Sequence, residues 1–143
     1  MLFSKILVAY DGSNLSKKAL YKAVAIALEN HENGLSPDIM VIHVRHDPTY
    51  AFAYPYYVGN VDETDAIKSL YEEAKQSIPP TININYASYR GQPASTILKY
   101  AEKNNCDLIV MGSRGLGNIR EFFLGSVSHH VTQNSKVPVL IIK

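Results

Sequence analysis

Gly112-Ser113-Arg114-Gly115-Leu116-Gly117-Asn118-Ile119-Arg120-Glu121-Phe122-Phe123-Leu124-Gly125-Ser126 joins the apolar run Asp107-Leu108-Ile109-Val110-Met111 to a helical segment opening at Ser126. A short apolar run bounded by glycine reads as a buried strand, so this stretch is a strand-to-helix crossing. Gly112 and Gly115 let the backbone turn and come close to a ligand. Gly125-Ser126 opens a helix whose free N–H groups and positive dipole end favour an anion. The stretch therefore reads as a nucleotide phosphate site in an α/β protein.

The same alternation extends in both directions. Lys5 to Tyr10 is an apolar run ended by Asp11-Gly12, after which Leu15, Ala19, Leu20, Ala23, Val24, Ala27 and Leu28 recur at helical spacing. Ser13 or Asn14 supplies the helix cap, and Asn33-Gly34 with Pro37 stops the helix before a strand from Asp38 to Val44. A long loop carrying Tyr50, Phe52, Tyr54, Tyr56 and Tyr57 precedes a second helix marked by Ile67, Leu70, Tyr71, Ala74 and Ile78. Pro79-Pro80 ends it, and Ile82, Ile84 and Tyr86 then alternate with polar residues as in an edge strand. Pro93 suits the first position of a third helix that Asn104-Asn105 ends. A last helix from Ser126 to Asn134 leads to the closing strand Pro138-Val139-Leu140-Ile141-Ile142.

Five strands alternating with four helices predict one domain over residues 1–143, a doubly wound parallel sheet with helices on both faces. Ligands in such sheets collect beyond the carboxyl ends of the strands where strand order reverses, which would set Asp11 and Gly112 in one crevice.

Composition narrows the partners. A formal net charge of +1 gives no electrostatic case for nucleic acid or an anionic membrane. Cys106 is the single cysteine, so no internal disulfide can form, and it is read as a small residue beside a strand. The first residues run straight into a strand without a signal-peptide pattern, and no apolar run reaches membrane-spanning length, so a cytoplasmic address is expected.

The spacing Gly-x2-Gly-x9-Gly-Ser, together with Val8-Ala9-Tyr10-Asp11-Gly12-Ser13 at the first strand and turn, resembles the ATP-binding type of the universal stress protein family over nearly the whole chain. The resemblance implies strand order 3-2-1-4-5 and a homodimer through antiparallel pairing of the C-terminal strands. It also implies a bound ATP or other adenine nucleotide, with Mg2+. Phosphate contacts would come from the backbone at Gly112, Gly115, Gly125 and Ser126 and from the Ser126 hydroxyl, with Val127 continuing the helix start and Met111 ending the preceding strand. The main chain of Val44 would meet the adenine edge, and Asp11 a ribose hydroxyl or a hydrated magnesium ion. Ala9 stands where some relatives carry proline.

Plainer readings remain beside these. Asp11 before glycine also serves as a turn cap, and Arg114 and Arg120 either pair with phosphate or face solvent. The tyrosines from Tyr50 to Tyr57 suit a lid, a partner surface or local packing. His129 and His130 are adjacent on a helix and point about 100 degrees apart, which disfavours a shared metal; like His43 they are read as structural. No nucleophile stands beside a recognisable base, and neither Gly-x4-Gly-Lys-Ser/Thr nor Gly-x-Gly-x2-Gly occurs. Three functions stay open: a nucleotide-responsive regulator with slow or no hydrolysis, an ATP-hydrolysing or nucleotidyl-transfer enzyme of the related fold, and a nucleotide-free scaffold. The first is favoured, because the glycines follow the fourth strand and not the first.

Overall fold

The computed structural model describes residues 2–32, 34–47, 66–115 and 124–143. Among them the elements run β1 (Lys5–Ala9), α1 (Asn14–Glu32), β2 (Asp38–His46), α2 (Ala66–Lys75), β3 (Ile84–Gly91), α3 (Pro93–Lys103), β4 (Leu108–Gly112), α4 (Ser126–Asn134) and β5 (Val139–Ile142). The tyrosine loop Tyr50 to Tyr57 and Arg120 lie outside the described residues.

All strand pairings are parallel and the order is β3-β2-β1-β4-β5, as the resemblance implies. Strands buried on both faces need apolar side chains at successive positions, and β1 and β4 supply them: Ile6, Leu7 and Val8, then Leu108 to Met111, are buried. Alternate side chains serve opposite faces. Ile6, Val8, Val41 and Val110 pack with α1 and α2, while Leu7, Ile42, Ile109 and Met111 pack with α3 and α4.

Three boundaries differ from the sequence reading by two residues or more. α2 ends at Lys75 rather than at Pro79-Pro80: Ile78 lies in the turn beyond it, its N–H donating to the Lys75 carbonyl at 3.0 Å. β2 continues past Val44 to His46, because β3 stays alongside and pairs Arg45 with Arg90 and His46 with Gly91. β3 opens at Ile84, not Ile82; the Ile82 N–H donates to the Pro79 carbonyl at 3.1 Å, which makes Ile82 a turn residue although its side chain is buried.

Local chemistry explains the helix starts. Ser13 caps α1, its Oγ accepting from the Ser16 N–H at 3.2 Å. Gln92 caps α3 by accepting from the Ser95 N–H at 2.6 Å, with Pro93 in the first turn. At the opposite edge of the sheet Asp107 ties down the start of β1, accepting from the Ser4 N–H (2.8 Å), the Ser4 hydroxyl (2.6 Å) and the Lys5 N–H (3.0 Å).

Candidate functional site

Strand β1 is shorter than its neighbours at the carboxyl edge, and that difference makes the site. The Tyr10 N–H donates to the Ile42 carbonyl at 2.9 Å, and the β1–β2 ladder stops at Ala9 opposite Ile42. Backbone groups of alternate residues point to the same neighbour, so Val44 turns its N–H and C=O toward the space that β1 has left. On the other side, Ile109 and Ser113 donate toward β5, to Pro138 (3.0 Å) and Ile142 (2.8 Å). Gly112 is out of phase with them and turns toward β1, whose ladder with β4 stops at Val8 opposite Val110. Val44 and Gly112 thus present main-chain groups to one crevice, at the point where strand order reverses.

A cleft of about 320 Å³ opens there, in the lower part of the size range of small-ligand sites. Ala9, Asp11, Val44, Met111, Gly112, Arg114, Gly115, Gly125, Ser126 and Val127, all named from the sequence, line it together. Its walls divide by chemistry. Ile42, Val44, Ile97, Met111 and Val127 give one apolar side, and the turn after β1 with the starts of α1 and α4 gives a polar one.

Asp11 is fixed at the polar end, where its Oδ1 accepts from the Ser13 N–H at 2.9 Å. This is the turn-capping role, and it coexists with a place in the cleft. The two glycines differ in what they accommodate. A Cβ on Gly112 would stand 2.8 Å from the Leu15 Cβ, so this glycine admits helix α1 against β4. A Cβ on Gly115 would run into Asp11 Oδ2. The glycine spacing alone assigns both residues to the ligand; in the structure their missing side chains also make room for the protein itself.

Sequence reasoning missed Ser128. It is 2% exposed, its hydroxyl donates to the Ser113 carbonyl at 2.6 Å, and it lies 3.1 Å from the Gly125 carbonyl. The Gly125 N–H donates to the same Ser113 carbonyl at 2.7 Å, which closes the base of the β4–α4 connection. Gly125 is the N-cap of α4 and makes no side-chain cap bond, which leaves the first helical N–H groups facing the cleft. A lone serine in a helix carries no sequence signal for such a bond. Ser13, Ser16 and His43 also line the cleft.

Arg114 is exposed at the cleft rim, and His129 and His130 are exposed on α4. Among the described residues no group of three or more His, Cys, Asp or Glu side chains could hold a metal ion. Asp11 is the one carboxylate among the described residues lining the cleft. That fits an ion carried in by phosphate oxygens, since magnesium is commonly held by one or two carboxylates plus substrate phosphates.

The profile of the Universal stress protein family matches residues 2–143. Universal stress protein YxiE of Bacillus subtilis is 34% identical over 99% of this chain and 100% of its own length. Among solved structures, a universal stress protein in complex with cAMP superposes with a TM-score of 0.69 at 24% identity, covering 100% of this chain and 98% of that one. The universal stress protein from Archaeoglobus fulgidus in complex with dAMP gives 0.67 at 22%, covering 100% of both chains.

Proposed function

Because the chain belongs to the universal stress protein family, we propose that its cleft binds ATP or another adenine nucleotide and that the protein acts as a nucleotide-responsive dimeric regulator in the cytoplasm. The observation that carries this reading is the early end of β1, which turns Val44 and Gly112 main-chain groups toward one crevice beside the start of α4. The Val44 N–H and C=O suit the donor and acceptor edge of adenine, and the apolar wall suits the faces of the base. The α4 N-terminus suits phosphate. That two structures of this fold hold cAMP and dAMP supports the adenine class.

Asp11 is the residue that would hold an Mg2+ accompanying the nucleotide, and the ion would supply charge neutralisation for the phosphates. The same geometry supports slow or absent hydrolysis. Asp11 is already engaged by Ser13 and backed by Gly115, so it is poorly free to activate water.

Dimerisation runs through β5. Pro138 directs its carbonyl to β4, so the donor it lacks is missing from the inner side, and Val139 and Ile141 point their N–H and C=O groups outward. Their side chains, however, pack against the α3–α4 core.

Mass spectrometry of small molecules released from denatured protein tests the reading. A released adenine nucleotide supports it, and timed incubation with ATP then measures turnover. A rate near the enzyme median of about 10 per second would favour a true catalyst instead.

A further inference from the structure

We infer that Ser128 is a positioning residue that sets the preference of the cleft for phosphate-bearing over neutral adenine ligands. The inference rests on the adenine-nucleotide reading of the cleft and adds to it the group that aims the phosphate donors.

A hydroxyl that is almost fully buried must have a use for its proton. Ser128 gives its proton to the Ser113 carbonyl at 2.6 Å, the shorter of its two carbonyl contacts. Ser113 is itself held by the sheet, its N–H donating to Ile142 at 2.8 Å. The first turn of α4 is therefore tied to the end of β5 through one residue, Ser113, with Gly125 N–H and Ser128 Oγ as the two anchors on its carbonyl.

Two consequences follow for a ligand. The N–H groups of Ser126, Val127 and Ser128 belong to the first helical turn, which has no intrahelical acceptors for them, and the anchors hold that turn at the cleft. The Ser113 carbonyl is meanwhile occupied by two donors, so its partial negative charge is offset before an anion arrives. Both effects act where phosphate sits. Neither touches the main-chain groups of Val44, on the far side of the cleft, that face the base.

Ser128→Ala removes one anchor and leaves the Ser113 carbonyl its bond from Gly125. Titrating wild type and variant with ATP and with adenosine separates aiming from folding, because a purely structural role would weaken both ligands alike. The expected result is about a tenfold loss of ATP affinity, the size of one hydrogen bond, with adenosine affinity within about twofold. Ser128→Cys, close in shape and a weak donor, should give an intermediate ratio of ATP to adenosine affinity and serves if the alanine variant does not fold. Equal losses for the two ligands, or no loss for ATP, would overturn the inference. Failure of the wild-type protein to bind either ligand would instead overturn the reading of the cleft.

Discussion

The carboxylate of Asp11 lies against the Cα of Gly115, so that a side chain at 115 would meet Asp11 Oδ2 before it met any ligand. The end of β1 and the β4–α4 connection are therefore fitted to each other across the polar end of the cleft.

That fit makes the two positions energetically coupled. Gly115→Ala should weaken ATP binding by about tenfold, because the added methyl either displaces the connection or turns Asp11. Asp11→Ala should weaken binding by itself. The double variant should lose clearly less than the product of the single losses, since removing the carboxylate makes room for the methyl. Calorimetric titration measures the cycle, with circular dichroism as the control for folding. Strictly multiplicative losses would show that the two sites do not touch.

Asp107 provides a pH-dependent part of the stability. Burial pushes its carboxyl up, but hydrogen bonds from the Ser4 hydroxyl, the Ser4 N–H and the Lys5 N–H outweigh burial and hold it below the ordinary value of 3.8. With a depressed folded pKa the unfolded chain binds the proton first, so this stability is present above about pH 3.8 and is lost as the pH falls through the folded value. Asp107→Asn should lower the urea midpoint at pH 7, and the gap to wild type should narrow below pH 3.8. A gap that stays constant down to pH 2 would contradict the assignment.

Tyr71 should be better as phenylalanine. Its ring stacks on Tyr86 with centroids 4.7 Å apart, but its buried hydroxyl has no hydrogen-bond partner among the described residues. Burial also pushes its pKa to about 12, so the folded state resists ionisation and loses stability as the pH rises above about 10. Tyr71→Phe keeps the stack and removes the unmatched group, which predicts a gain of about 1 kcal/mol, or about 3 °C in Tm, and a flatter stability curve in alkali. A loss of stability would show that the hydroxyl is bonded.

Much of this architecture could be read along the chain, because strands buried on both faces appear as continuous apolar runs and helices as spaced ones. Periodicity carries no information on which strands lie side by side; the order 3-2-1-4-5 came from the glycine spacing and its resemblance. The apolar run stops at Val44, and only the neighbouring β3 shows that Arg45 and His46 stay in the ladder. The contacts of Gly112 with Leu15 and of Gly115 with Asp11 join residues far apart in sequence, and the sequence reading had only glycine's freedom to go on. Ser128 was silent for the same reason, since its acceptor Ser113 is 15 residues away.

The dimer edge needs a test that spares the core. Lysine at Val139 or Ile141 would insert charge into side-chain positions packed against α3 and α4 and confuse folding with association. Ile141→Pro instead removes an outward N–H, a change that an edge strand tolerates in its own ladder. Sedimentation at micromolar concentration should find wild-type dimer and variant monomer, with circular dichroism little changed. A monomeric wild-type protein would dismiss the interface.

The most direct measurement is calorimetric titration of the ligand-free protein with ATP and, in parallel, GTP, each with Mg2+. The proposed recognition of the base by the Val44 main chain and of phosphate by the helix start at Ser126 predicts saturable ATP binding, with one site per chain and clearly weaker binding of GTP. No saturable heat from ATP up to millimolar concentration would contradict the account.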